Sequence, residues 1–467
     1  MKLSERRFAG KPAAPPSTIV GIGLAPVDID LIANDGHDGP LRAILVNGAD
    51  VEHGDACEPR RAAAEIRARL AGKNIRVDGI VSCDDYPCCL VASHLAEALG
   101  LTSPSLLSLM LLQHKYWSRT IQARVVPAHT PGFDAVDLGT HKRLDGRALR
   151  FPCWVKPIKS SMSFLALRAA NAGQLSRNLQ TIAERMNGFQ FAFNASLGIL
   201  DTATPGLPAI GGEHAIIEEE LKGRQVTLEG YVAGGRAVAL GVVDSCRTAN
   251  RRSFARFEYP SRLPRRLQDA MARIAAAVLR EAGFDNGFFN VEFFVDARTR
   301  DINILEINPR FCSQFSPLYL LVDGRHSHRA LVDLALGRPV AHPKGKGQHR
   351  VAACFVLRLP HDARVQRVPT AGEIAAAESL VPASRVELLC APSRLLSDYV
   401  QDEFTYRYAC VYVGADRRDE LARRCARIVE RLKFRFEPAE ARDAAQSPTP
   451  VRASTRPRRT RTRSRSG

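Results

Sequence analysis

Residues 290–310, N-V-E-F-F-V-D-A-R-T-R-D-I-N-I-L-E-I-N-P-R, hold the chain's densest set of side chains able to do chemistry. Two apolar runs, Phe288–Val295 and Ile302–Ile307, flank a polar turn, Asp296–Asp301. Both runs are rich in β-formers, so the pair predicts a β-hairpin. Period-2 alternation puts Asn290, Glu292 and Phe294 on one face of the first strand. On the second strand it groups Ile302, Ile304, Glu306 and Asn308. Pairing across the turn can then bring Glu292 and Glu306 together. Two carboxylates and an amide oxygen form an oxygen-only cage, which suits Mg²⁺ on phosphates better than Zn²⁺. Arg310 follows on a stiff Pro turn, where its guanidinium could meet anionic oxygens. The same spacing also fits a surface hairpin with solvated acids, and residue types alone leave both open.

The elements that must position these residues are spread along 467 residues, enough for two or more domains. Hydrophobic content of 45% and charge of 25% are ordinary for a globular protein. No apolar run reaches bilayer length, and the charged start M-K-L-S-E-R-R has no apolar stretch after it, so neither a membrane span nor a secretory signal is expected. Eleven cysteines with no C-x-x-C pair suggest buried thiols in a reducing cytoplasm, with Cys88–Cys89 packing on a helix face. Seven arginines and no acid lie in residues 445–467, so ten of the seventeen net positive charges belong to the rest. That Arg-rich tail cannot build a core and is expected to be disordered, either as a solubilising extension or as a nonspecific contact to nucleic acid.

Ser17–Ile22, Leu41–Val46 and Val77–Ser82 read as buried strands of an open α/β unit. Helices are expected over Glu58–Ala71 and from Pro87 to Leu99, each with Gly just beyond. Ser103-Pro104 opens a further helix running to about Val125 and carrying His114, Lys115 and Arg119. Phe151–Lys156, Ala215–Leu221, Val226–Val232 and Ala237–Val243 read as strands, and Leu263–Ala282 as an amphipathic helix. Arg247–Ser261 reads as a basic, irregular stretch. His326 and His328 read as surface residues at a helix start. Arg350–Leu359, Ser384–Leu389, Tyr406–Val413 and the helix Glu420–Leu432 make a last lobe.

V-E-F followed by E-I-N-P-R resembles the metal-binding signature of the ATP-grasp superfamily, most of all its carboxylate–amine ligases and the biotin-carboxylase-like group. The resemblance spans about residues 78–436. It implies an α/β (α+β) ATP-grasp fold with an N-terminal α/β domain (1–117), a small ATP-binding lobe (118–215), a large lobe with the metal site (216–345), a C-terminal lobe (346–437) and the tail (438–467). It assigns Mg²⁺ (or Mn²⁺) to Glu292, Glu306 and Asn308, and the reacting phosphoryl group to Arg310. In H-K-Y-W-S-R, similar to the family's D-K-x-x-x-R, Lys115 reaches an ATP phosphate, with His114 in place of the acid. Lys156, in F-P-C-W-V-K-P, takes the α- and β-phosphates. The following K-S-S-M-S-F lacks the usual glycines but keeps hydroxyl donors, Ser161 among them. Glu218 and Leu221 would line the adenine pocket. Gln225 stands where an acid usually meets the ribose. Glu229 and Arg252 are candidates for the substrate side. Cys312, Ser313 and Gln314 replace the family's small glycines.

The implied function is an ATP- and Mg-dependent ligase that activates a carboxylate as an acyl phosphate and joins it to an amine such as an amino acid. A homodimer is compatible with the resemblance. Two alternatives stay open: a biotin-carboxylase-like enzyme using bicarbonate, and a non-catalytic ATP-binding regulator.

Overall fold

The computed structural model describes residues 3–8, 16–33, 40–48, 51, 58–146, 149–160, 163–186, 193–194, 196–198, 207–249, 252–296, 298–399, 401–402 and 404–439. Ser161 and nearly all of the Arg-rich tail lie outside them. Four strands near the N-terminus, β1 (Leu3–Phe8), β2 (Ser17–Ile22), β3 (Leu41–Val46) and β4 (Gly79–Ser82), form a sheet in the order β1-β3-β2-β4. β2, β3 and β4 run parallel, and β1 is antiparallel to β3. Their near-continuous apolar runs fit a sheet covered on both faces. The helices Pro59–Gly72 and Cys88–Leu99 pack on it. Glu58 caps the first through the backbone N–H groups of Arg60 and Arg61. Gly100 closes the second at φ 65°, a conformation that costs glycine little.

The helix expected from Ser103 to Val125 is two helices, Leu106–Gln113 and Lys115–Val125. His114 breaks it with ψ 104°, and its imidazole accepts from the backbone N–H of Trp117, 3.2 Å away. This is an N-cap made by histidine rather than by the usual short polar residues. Its other ring nitrogen lies 2.9 Å from the Ile210 carbonyl oxygen. Burial holds the ring's pKa down at about 3, so it is neutral. The cap makes Lys115 the first residue of its helix.

β5 (Phe133–Asp137), β6 (Cys153–Pro157), β7 (Leu167–Ala169) and β8 (His214–Glu219) form the antiparallel sheet of the small lobe, in the order β5-β8-β6-β7. The large sheet has eight strands: β9 (Arg224–Ala233), β10 (Arg236–Arg247), β11 (Phe254–Tyr259), β12 (Gly287–Val295), β13 (Ile302–Asn308), β14 (Val351–Leu359), β16 (Arg385–Leu388) and β17 (Tyr406–Ala415). Their order is β13-β12-β9-β10-β11-β14-β17-β16. The C-terminal strands thus extend the sheet that carries the β12–β13 hairpin. β15 (Ala363–Arg367) and β18 (Arg435–Pro438) form a separate pair. The stretch expected to be irregular contains β11, hydrogen-bonded on both sides inside this sheet. There Arg256 pairs with Glu258 at 2.7 Å. The helix Arg265–Glu281 covers the core side with Leu267, Met271, Ile274 and Val278. No helix among the described residues is long and apolar enough to cross a membrane. The described cysteines form no disulfide with one another, and Cys88 and Cys89 are buried on their helix.

Candidate active site

The hairpin forms as its spacing predicts, with one correction. Antiparallel pairing sets Glu292 opposite Glu306 and Asn290 opposite Asn308. The register then slips, because Phe293 faces Ile304 and Leu305 is left as an extra residue. Such a bulge reverses the alternation. Ile302, Ile304 and Ile307 therefore enter the core, while Glu306 and Asn308 stay partly exposed on the opposite side. Strict alternation wrongly grouped Ile302 and Ile304 with Glu306. Arg119 holds the bulge from the helix Lys115–Val125, donating to the carbonyls of Ile304 (2.8 Å) and Leu305 (2.7 Å).

On the neighbouring strand, Thr227 and Glu229 of β9 lie beside Glu292 and Asn290. Gln225, nearly buried, donates to the Glu292 carboxylate at 2.6 Å and accepts from Arg247. Both ends of the amide expected to meet a ribose are thus engaged within the chain. Burial, and then the charge of Glu306, push the Glu292 carboxyl above its usual range. A paired set of oxygen ligands under mutual repulsion fits a hard divalent cation, which would relieve what raises Glu292.

Lys115 reaches across to this pair. Its Nζ lies 3.2 Å from Glu306 and 3.0 Å from the backbone oxygen of Ser160. Lys156 and Arg119 both engage Glu218, each at 2.5 Å. Burial alone would raise the Glu218 carboxyl, but Arg119 and Lys156 outweigh it and hold it at about 2. Glu218 itself is paired on both sides in its sheet, with Phe133 and Trp154. Its side chain therefore serves the ion cluster. Leu221 is half-buried in the connector to β9. Gly223 sets that connector: at φ 114° a Cβ would stand 2.7 Å from the Val295 carbonyl group. Lys115, Arg119, Lys156, Glu218 and Glu306 line one small cleft. The loop after β6 has no glycine, yet Ser163 and Leu165 adopt φ 59° and 55°.

Arg310 sits at the far end of the hairpin. Its Nη1 donates to the Phe311 carbonyl at 3.3 Å, and its buried Nε has no hydrogen-bond partner among the described residues. Glu229 is fully buried rather than solvent-facing. One oxygen accepts from the backbone N–H of Cys312 at 3.2 Å, and the other has no hydrogen-bond partner among the described residues. Burial raises this carboxyl to about 8. Arg252 lies away from these groups, exposed and stacked 4.9 Å over Phe404. Burial likewise pushes the Cys312 thiol up to about 12, which keeps it a thiol.

His326 and His328 are buried, contrary to the surface placement expected from R-H-S-H-R. His328 bridges Asp28 (2.9 Å) and Ser316 (2.7 Å), tying the N-terminal domain to the large lobe. Cys83 joins Asp28 and His328 in a cluster of metal-ligating types, but both ring nitrogens are already hydrogen-bonded. Sequence reasoning also missed Arg119 and Arg247 as parts of the site. Arg119 was in view as the last residue of the D-K-x-x-x-R-like element. Arg247 carried no signal beyond the basic run around it.

Residues 149–317 match the ATP-grasp domain family. Among solved structures, an L-amino acid ligase from Bacillus licheniformis aligns with a TM-score of 0.66 at 13% identity, covering 91% of this chain and 100% of that one. A biotin carboxylase from Campylobacter jejuni aligns at 0.57 and 14%, covering 90% and 92%. N5-carboxyaminoimidazole ribonucleotide synthetase from Thermotoga maritima aligns at 0.55 and 15%, covering 90% and 99%. No curated protein matches the chain. The fold is that of ATP-grasp proteins, and residues 149–317 match their ATP-grasp domain.

Proposed function

We propose that the chain is an ATP- and Mg-dependent ligase that activates a carboxylate and passes its acyl group to an amine. The observation that carries this reading is Glu292 opposite Glu306, beside Lys115 and within the family-matched segment that also holds Lys156 and Arg310. The L-amino acid ligase among the solved structures supports an amino acid as one partner.

Lys115 and Lys156 hold the nucleotide's phosphates as point charges, each already poised on a carboxylate it can share. Glu292, Glu306 and Asn308 would hold Mg²⁺, which would neutralise phosphate charge there. A substrate carboxylate oxygen attacks the γ-phosphorus, and the bond to the β,γ-bridging oxygen breaks, so ADP leaves with that electron pair. The amine nitrogen then attacks the acyl carbon, phosphate departs, and the amine's surplus proton goes to solvent. Arg310 stabilises charge first on the transferring phosphoryl group and then on the tetrahedral oxygen. Positioning and charge neutralisation supply most of the rate, since the protein forms no covalent bond.

The test is phosphate release from Mg-ATP over a matrix of carboxylates and amines, amino acids foremost. Release for one pair is expected. Glu306→Ala should abolish it by removing a metal ligand from an exposed edge of the sheet, with the fold intact by circular dichroism. Near-normal turnover in that variant would refute the assignment.

A further inference from the structure

Asp85 lies in the loop between β4 and the helix Cys88–Leu99 of the N-terminal domain, outside the segment that matches the family. It is 7% exposed, and so is nearly as buried as Lys159, at 6%. One carboxylate oxygen lies 3.2 Å from Lys159 Nζ, in the loop after β6 of the small lobe. The same oxygen accepts from the backbone N–H of Tyr86 at 2.8 Å. The other oxygen lies 3.7 Å from Arg310 Nε, at the end of the metal hairpin. Burial would raise this carboxyl. Lys159, then Arg310, outweigh it and hold the group well below the usual carboxylate range.

We propose that Asp85 is a positioning residue for the reacting end of the site, a carboxylate from the N-terminal domain that orients Arg310 and Lys159 toward one shared anion. Three parts of the chain meet there, and one negative charge faces two positive ones. The local excess of positive charge suits a phosphoryl group carried between lobe and hairpin. The distances divide the work. At 3.2 Å the contact with Lys159 is a charge-assisted hydrogen bond. At 3.7 Å the contact with Arg310 is too long for one, so Asp85 steers the guanidinium without using up its N–H donors. Among the described residues Arg310 spends one donor elsewhere, on the Phe311 carbonyl. Its Nε is buried beside Asp85, while the side chain as a whole keeps 26% exposure, through which its terminal nitrogens can meet an incoming oxygen. Asp85 itself is held by the Tyr86 N–H, and its own N–H donates to Asp84 at 2.8 Å.

The purpose of this device rests on the ligase reading, but its test does not. The readout is the preference for Mg-ATP over Mg-ADP in equilibrium binding, which isolates the γ-phosphate and needs no second substrate. A residue of the fold alone would weaken both nucleotides together. Asp85→Asn should keep Mg-ADP affinity within about threefold and lower the ATP-over-ADP preference by roughly tenfold or more, the scale of one charge-assisted contact. Arg310→Gln should lower it similarly, and the double variant should lose little more than either single one. Asp85→Ser is the second variant, and it should show the same loss. A folded variant of either kind with the wild-type preference overturns the proposal. So does failure of both to fold, which would make Asp85 a residue of the fold only. Absence of turnover with any substrate pair, alongside a preference that Asp85→Asn removes, would reject the ligase reading and leave this one standing.

Discussion

Glu218 lines one cleft with Glu306, and Glu292 lies opposite Glu306 on the next strand, yet Glu218 and Glu292 meet opposite surroundings. Glu218 has two cations at 2.5 Å, and these hold its carboxyl at about 2 despite burial. Glu292 has a neutral amide at 2.6 Å and another carboxylate directly across the strand pair, and its carboxyl is raised. The Glu218 side of the site therefore has its carboxylate satisfied within the chain, by two cations. The hairpin side sets two carboxylates against one close cation, Lys115 on Glu306, and leaves Glu292 raised for an added cation to relieve. The first arrangement fixes a scaffold in advance. The second couples the site to whatever ion and nucleotide arrive.

Removing each carboxylate in turn breaks the comparison most directly. Glu218→Ala strands a buried guanidinium, Arg119, and a partly buried ammonium, Lys156, so a loss of about 3–5 kcal/mol in urea unfolding is expected. A loss below about 1 kcal/mol would mean that Arg119 and Lys156 find other partners. The carboxyl of Glu229, in the same sheet as Glu292, should give the next largest effect, and it appears as a pH dependence. Its folded pKa is raised, to about 8. Its contribution is therefore complete below the unfolded value, near 4.3, and is lost as pH rises through that window, on the order of a few kcal/mol. Glu218 has the opposite sign: its contribution is present above the unfolded value and disappears as pH falls toward about 2. Glu229→Gln, a neutral isostere, should flatten the fall in melting temperature between about pH 5 and pH 8. An unchanged slope would mean that Glu229 is ionised in the folded protein.

Glu292→Gln sharpens the contrast from the ligand side. Without nucleotide its stability should equal or exceed that of the wild type, because the change removes a carboxylate that burial and Glu306 disfavour. With Mg-ATP at a hundredfold excess over Kd, the wild type should gain about 2.7 kcal/mol, and the variant only a small part of that. Equal gains in thermal-shift titrations would place the metal elsewhere.

Short-range signals made much of this legible. The apolar runs located β2, β3, β9, β12 and β13, and Gly100 and Gly283 marked helix ends at positive φ. Spacing also brought Glu292 and Glu306 together. What the sequence hid depends on partners far along the chain. The bulge at Leu305 is held by Arg119, 186 positions away. The burial of His328 depends on Asp28, 300 positions away. The stretch holding β11 reads as a basic loop because its arginines are satisfied locally, Arg256 of β11 by Glu258 and Arg247, at the end of β10, by stacking 4.7 Å over Phe254. The break at His114 escaped notice because histidine is an uncommon cap.

The loop after β6 offers the smallest effect and the finest test of the same contrast. A serine at φ 59° pays a steric penalty that glycine avoids. Ser163→Gly removes that penalty but loosens the unfolded chain, so a net gain of about 0.5 kcal/mol is expected. Two lysines tie the neighbouring backbone down, Lys115 through the Ser160 carbonyl and Lys159 through Asp85. If the loop is part of the pre-balanced scaffold, Ser163→Gly should leave Mg-ATP affinity unchanged while raising the urea midpoint slightly. Were the loop instead set only when nucleotide arrives, the glycine variant would bind Mg-ATP more weakly, because it must lose more backbone freedom on closing. Paired urea and binding curves separate the two, and they decide whether the pre-balanced side of the site ends at Lys156 or extends through the loop to Ser163.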